Sequence, residues 1–143
     1  MIPFRVVFLG RMLKYGSSGG EKHLRLFRKS KGCYGAKTVH EGVFVDGSIG
    51  RLKNHIEHHS YASLDEYFDK FNRYTTLIAR EKYANGERFG VFQIARLPFE
   101  FINRYFFKLG FLDGWHGFLY AFLASFYSTV KYLKLWDALR REV

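Results

Sequence analysis

The spacing of apolar residues changes near residue 62, and the two sides of this boundary predict different secondary structure. Before it, apolar and polar residues partly alternate and glycine is frequent, as in short strands joined by loops. Residues 24–28 show such alternation. Val43–Val45, the pair Asp46-Gly47 and residues 48–52 predict a hairpin, because Asp-Gly tolerates the positive φ of a two-residue turn.

After residue 62, apolar residues recur with helical spacing. Ser63 and Glu66 have the spacing of a capping box, which predicts a helix that begins at Leu64. Asn85-Gly86 predicts its end. The apolar face of this helix comprises Leu64, Tyr67, Phe68, Phe71, Tyr74, Thr75 and Ile78.

Two more helices are predicted in the second half. One covers about 89–109, is broken or bent at Pro98 and ends at Gly110. Asp113 is expected to cap the other, which runs from Gly114 to about Arg141. The sequence therefore predicts an α+β fold, in which a small β-sheet or hairpin part over 1–62 precedes long amphipathic helices over 63–143.

Composition is that of a folded protein with one core. The chain has 143 residues, 48% hydrophobic and 25% charged, which excludes disordered, collagen-like and disulfide-scaffold classes. Its net charge of +10 requires an anionic partner, such as nucleic acid, anionic lipid or a phosphorylated substrate. The single cysteine, Cys33, allows no intrachain disulfide and fits a reducing compartment.

The second half interleaves aromatic residues with Lys and Arg, a mixture found both in base-stacking and in membrane-interface proteins. No nucleic-acid motif accompanies it, so we favour a membrane surface over nucleic acid. A soluble helical core is the alternative. Residues 115–130 are too short to span a bilayer, and the apolar residues 6–9 are too few for a secretion signal.

Few residues suggest chemistry by themselves. Glu41, in Val39-His40-Glu41, is a candidate general base, with a solvated loop glutamate as the alternative, and His40 beside it suits a hydrogen-bonding role. Arg25 and Arg28 suit phosphate binding, or else a solvated edge strand. Phosphate-loop, dinucleotide, zinc-protease and nucleophile-elbow motifs are absent from the sequence.

A histidine-rich stretch is a second possible site. His55, His58 and His59 lie close to Glu57 in the sequence, and alternation along a strand would bring some of them together. Cys33 does not complete a zinc set, so we predict solvated or hydrogen-bonding histidines rather than a metal site.

Short stretches stand in a characteristic order along nearly the whole chain. They are FLGR at 8–11, LRLFRK at 24–29, VHE at 39–41, LKN at 52–54 followed by His58 and Ser60-Tyr61, NRYTT at 72–76, GFLDG at 110–114, and KYLKLW at 131–136. Together they resemble the C-terminal part of bacterial family-two glycosyltransferases, which add sugars to the lipopolysaccharide core and similar envelope glycans.

This resemblance implies a nucleotide-sugar transferase of the GT-A type. Such enzymes bind the donor in a Rossmann-like N-terminal half, where Asp-x-Asp holds a divalent metal. The sequence contains no Asp-x-Asp, so the chain is expected to lack that half and to be inactive alone, either as a truncated product or beside a separate N-terminal donor-binding chain. No cofactor is then bound by this chain alone, and Mg or Mn is expected only with the missing donor half.

The resemblance also assigns roles to residues. By position Glu41 matches the base of an inverting transfer, with His40 beside it as a catalytic candidate, and Arg25, Arg28 and Lys53 match substrate or phosphate contacts. The implied partners are a nucleotide-sugar donor, a glycan or glycolipid acceptor and the membrane surface, with no nucleic acid. The implied location is cytoplasmic, peripheral on the inner face of the cell membrane. The alternative is a noncatalytic peripheral membrane or interaction protein.

Overall fold

The computed structural model describes residues 1–17, 22–35 and 43–141, and within them the fold is α+β, as predicted. Short strands come first and long helices follow. The strands are β1 (Ile2–Phe8), β2 (Arg11–Met12), β3 (Lys22–His23), β4 (Gly32–Tyr34), β5 (Val43–Val45) and β6 (Ile56–Tyr61). The helices are α1 (Leu64–Ala84), α2 (Arg96–Ile102) and α3 (Gly114–Arg141).

β1 organises the larger sheet. It pairs antiparallel with β2 at one end and with β3 at the other, and parallel with β6 along most of its length. The parallel register places Val7 beside His59, then shifts so that Phe8 pairs with Tyr61. Because α1 starts soon after β6, this pairing carries the first helix onto the sheet.

The predicted hairpin is wrong in its pairing partner. β5 pairs antiparallel with β4 rather than with residues 48–52, which form no strand. Gly47 does adopt a positive φ, of 129°, but the turn directs the chain back to the start of β1, where the Leu52 amide donates to the Met1 carbonyl at 2.9 Å. Residues 24–28 are also irregular, so the strand expected there is absent.

The limits predicted for α1 are confirmed. The Ser63 hydroxyl accepts a hydrogen bond from the Glu66 amide, and the Glu66 carboxylate accepts one from the Ala62 amide at 2.8 Å. The first bond satisfies a backbone donor that the helix start leaves unpaired, and the second ties the Glu66 carboxylate to the residue before the cap. Asn85 ends the helix, and Gly86 follows with a positive φ of 72°.

The helical stretch predicted over 89–109 is divided into shorter elements, but not at Pro98. Residues 91–93 form a 3-10 turn, α2 follows, and residues 103–107 continue it as a π-helical turn. Pro98 does not break α2, because it lies in the first helical turn, where the backbone amide has no intrahelical partner. Leu109, with a positive φ of 58°, ends this segment.

Phe8 lies at the centre of the hydrophobic core. Its buried ring meets Tyr61 of β6, Tyr67 of α1 and Tyr120 of α3 edge to face, at centroid distances between 5.4 and 6.4 Å. The Tyr67 hydroxyl donates to the Leu123 carbonyl at 3.0 Å, which ties α1 to α3. Burial raises the pKa of Tyr67 and so keeps this hydroxyl neutral and able to donate.

Asp113 links the helical part to the chain after β2. Its buried carboxylate accepts hydrogen bonds from the backbone amides of Lys14 at 3.0 Å and Tyr15 at 2.9 Å. The expectation that Asp113 caps α3 is therefore wrong. The carboxylate instead satisfies two backbone donors from almost one hundred residues earlier in the chain, as a charge-assisted contact can.

Glycines allow backbones to approach closely beside this link. The Gly16 amide donates to the Lys108 carbonyl at 2.9 Å. A Cβ atom at Gly117, in the first turn of α3, would lie 2.0 Å from the Gly110 carbonyl oxygen. A backbone oxygen cannot move aside as a flexible side chain can, so a side chain at Gly117 would force the two segments apart.

We expect Gly117→Ala to lower the free energy of unfolding by about 2 kcal/mol, because the steric overlap outweighs the helix propensity gained with alanine. Urea unfolding followed by circular dichroism measures this. Gly50→Ala is the matched control, since nothing lies within 4 Å of the added Cβ. Equal stability of the two variants would contradict the close approach of α3 to residue 110.

Candidate functional site

The segment that contains Arg28 is held in place by an aromatic contact. Phe27 packs edge to face on Tyr34 of β4, with ring centroids 5.7 Å apart. A Cβ atom at Gly32 would lie 2.6 Å from the Phe27 ring and 2.9 Å from the Phe44 carbonyl oxygen. The absence of a side chain at Gly32 thus lets residues 24–31 lie against the β4–β5 ladder.

The chain that leaves β5 lies opposite residues 24–31, so that the two segments form two walls. The Asp46 amide donates to the Lys31 carbonyl at 2.8 Å, and the Lys31 ammonium lies 3.3 Å from the Asp46 carboxylate. Residues 48–52 then return to the first residue of the chain, where the Met1 amine donates to the Gly50 carbonyl. This return closes a wall that faces residues 24–31.

A cavity of about 620 Å³ lies between these walls. The described residues that line it are Met1, Ile2, Leu24, Leu26, Phe27, Arg28, Lys31, Val45, Asp46, Gly47, Ser48, Ile49, Gly50, Arg51 and Leu52. The volume is within the range of small-molecule sites, and apolar side chains with a few charged groups are typical of them.

The charges in this cavity are unbalanced. Among the lining residues that the structure describes, the side chains of Arg28, Lys31 and Arg51 supply three cations, and Asp46 supplies the only carboxylate. Asp46 pairs with Lys31, whereas no carboxylate within the described ranges forms an ion pair with Arg28 or Arg51. The arrangement can bind an anionic group at the arginines while apolar side chains contact an uncharged part of the same ligand.

Three residues, Arg25, Arg28 and Lys53, were predicted to bind substrate or phosphate, and the structure places only one of them at the cavity. Arg28 lines the cavity, whereas Arg25 and Lys53 are exposed and lie outside its lining. Lys31 and Arg51 line it and were missed by sequence reasoning. Lys31 could have been included from the basic run at 28–31, but no local signal shows that Arg51 returns to face it.

The two catalytic candidates, His40 and Glu41, lie outside the described residues. The described chain resumes at Val43, the first residue of β5, which pairs with Tyr34. Val45, at the other end of β5, lines the cavity.

The histidine-rich stretch forms β6 except for His55, which lies just before the strand. His58 and His59 are exposed, His58 lies near the Phe4 ring, and His59 lies 3.7 Å from the Glu57 carboxylate. Within 1–17, 22–35 and 43–141, no group of three His, Cys, Asp or Glu side chains is placed to hold a metal ion.

The helical part exposes many aromatic side chains. Phe92 is 85% exposed, Phe107 79%, Phe99 70% and Trp115 68%. None of the helices in the described part of the chain combines the length and apolar character needed to cross a membrane. Exposed apolar side chains that form a contiguous patch are typical of a surface that docks on another surface.

Comparison with known proteins identifies a glycosyltransferase relative. The lipopolysaccharide core biosynthesis glycosyltransferase LpsC of Rhizobium meliloti (strain 1021) is 30% identical over 114 residues, which cover 73% of this chain and 42% of the relative. The chain thus spans less than half the length of that relative. No family model and no solved structure matches the chain. The relative supports a distant, glycosyltransferase-like relationship.

We expect opposite effects from two changes of charge in the cavity. Arg51→Gln should weaken binding of inorganic pyrophosphate about tenfold by removing a charge-assisted contact. Asp46→Asn should strengthen it about threefold by freeing Lys31 from its carboxylate. The backbone amide resonances of residues 48–52 report the binding.

Arg73→Gln, an exposed position on α1, is the control for the loss of one positive charge. If it weakens binding as much as Arg51→Gln, the effect is that of net charge, and the cavity is not an anion site.

Proposed function

We propose that this chain is the acceptor-side portion of a glycosyltransferase that moves a sugar from a nucleotide-sugar donor to a cell-envelope glycan or lipid-linked acceptor. The observation that carries the proposal is the cationic cavity beside β5, in a chain whose relative is a lipopolysaccharide core glycosyltransferase. Arg28 and Arg51 suit a phosphate on the acceptor, and the apolar lining suits its uncharged part.

Glu41 is the proposed base. An inverting transfer needs a carboxylate that takes the proton from an acceptor hydroxyl while that oxygen attacks the anomeric carbon and the nucleotide diphosphate leaves from the opposite face. Glu41 lies two residues before Val43 in the sequence, and β5 ends at the cavity. His40 is the proposed neighbour of the base.

We propose that another part of the enzyme, and not the residues of this chain, binds the donor. The sequence has no Asp-x-Asp, and the described residues offer no cluster that fits a divalent metal. No step of this proposal is therefore assigned to a metal on these residues. Mg or Mn belongs to the donor-binding half, and the chain without that half is expected to transfer no sugar, since catalysis needs a positioned donor.

The exposed aromatic side chains of the helical part support the proposal that the reaction takes place at a membrane. Aromatic side chains insert into the membrane interface, and the net charge of +10 favours an anionic leaflet. We propose that α2 and the start of α3 lie on the inner face of the cell membrane, which brings the cavity near a lipid-linked acceptor. The same surface supports the second candidate, a noncatalytic peripheral membrane or interaction protein.

Glu41→Gln should lower kcat by about a hundredfold or more in a preparation that contains both the chain and a donor-binding half, because the amide cannot accept the proton. Release of the nucleotide diphosphate measures turnover. Glu81→Gln, the same change on an exposed position of α1, should leave kcat unchanged. Wild-type turnover in Glu41→Gln would exclude Glu41 as the base, and no transfer by the wild-type pair would favour the noncatalytic candidate.

Phe92→Ser combined with Phe107→Ser should reduce binding to phosphatidylglycerol vesicles by about tenfold or more, because both rings lose their apolar contact with the interface. Vesicle flotation measures the bound fraction. Phe44→Ser is the control, since Phe44 is also 69% exposed but lies on β5. If Phe44→Ser reduced vesicle binding as much, the helical part would have no special role in binding the vesicles.

A further inference from the structure

Three cations surround the ring of Tyr132 in α3. The Lys82 ammonium lies 5.0 Å from the ring centroid, the Arg96 guanidinium carbon 5.4 Å and the Lys131 ammonium 5.5 Å. Arg96 also approaches the Tyr132 hydroxyl, at 3.4 Å. The cluster is assembled from the end of α1, the first residue of α2 and the second half of α3, so the fold and not the sequence brings the charges together.

Carboxylates neutralise two of the three cations. Lys82 pairs with Glu87 at 2.7 Å, and Arg96 lies 3.9 Å from Glu100. Glu100 is shared, because Arg104 approaches its other oxygen at 3.2 Å.

Lys131 differs from Lys82 and Arg96 because it has no carboxylate partner among the described residues. It is partly buried, and no carboxylate in the described part of the chain lies within ion-pair distance of it. Its pKa is lowered, first by burial and then by Arg96 and Lys82, and Glu100 and Glu87 offset this only in part. A partly buried charge beside two like charges is costly unless an anion compensates it.

We propose that the Tyr132 cluster, formed by Lys82, Arg96, Lys131 and the Tyr132 ring, binds a phosphate group. A guanidinium contacts two phosphate oxygens at once, and the two ammonium groups add compact point charges. The bound anion removes the repulsion that Lys131 experiences. This site is separate from the cavity beside β5 and does not depend on the transfer reaction.

The phosphate can come from a soluble phosphorylated ligand or from a phospholipid headgroup. The highly exposed Phe92 lies four residues before Arg96, so an apolar side chain stands close in sequence to the cluster. The shared chemistry is the phosphate, and the experiment has one arm for each source.

In the first arm, inorganic phosphate is titrated into the full chain at constant ionic strength, and the resonances of Tyr132 are followed by NMR. We expect saturable shifts whose apparent Kd rises about tenfold in Lys131→Met, because one charge-assisted contact is lost while the apolar stem stays. Arg96→Gln should give a similar loss. Arg51→Gln, which removes a charge in the cavity, should leave the Tyr132 titration unchanged.

In the second arm, flotation compares phosphatidylcholine vesicles with and without phosphatidylglycerol. A Lys131→Met defect confined to phosphatidylglycerol vesicles assigns the phosphate to a lipid headgroup, and a defect with inorganic phosphate alone assigns it to a soluble ligand. Both outcomes support the site. Tyr132 titrations and vesicle binding that are the same in wild type, Lys131→Met and Arg96→Gln would overturn it.

Discussion

The packing of Phe8 against three tyrosines is the contact on which the arrangement of strands and helices depends. Tyr61, Tyr67 and Tyr120 come from β6, α1 and α3, so one ring of β1 contacts the neighbouring strand and both long helices. Among the described residues before 62, the buried hydrophobic side chains are Val7, Phe8 and Leu13. Burial of one such side chain contributes about 1.5–3 kcal/mol, so the strands have little core of their own and rely on the helices for stability.

The elements that sequence predicts well are those that local signals define. α1 begins and ends where its capping box and Asn85-Gly86 indicate, because each signal acts within a few residues. The failures come from contacts distant in sequence. β5 pairs with β4 instead of the following segment, and Asp113 binds the amides of Lys14 and Tyr15 instead of the next helix. No local pattern distinguishes these alternatives.

The candidate cavity likewise combines a residue that the sequence indicates with one that it does not. Arg28 could be proposed from its basic neighbourhood and its motif, whereas Arg51 enters the lining only because residues 48–52 return to Met1 through backbone hydrogen bonds. Arg25, in the same motif as Arg28, and Lys53, in the LKN motif, lie outside the lining. A motif thus indicates which segments form the site, while the closure of the chain decides which side chains face it. Glu41 and His40 stay predictions.

The buried hydroxyls of the helices have a consequence for how the helices pack together. Thr75 donates to the Phe71 carbonyl at 2.7 Å, Ser125 to Ala121 at 2.6 Å and Thr129 to Ser125 at 3.3 Å, each within its own helix. These groups need no water and no partner across the interface. The contacts between α1 and α3 are made by larger groups, such as the Phe71 and Phe126 rings, which stack with centroids 5.5 Å apart, and the bond from Tyr67 to Leu123. When the two helices meet, the buried hydroxyls keep the partners that they already have, so their burial leaves no polar group unpaired.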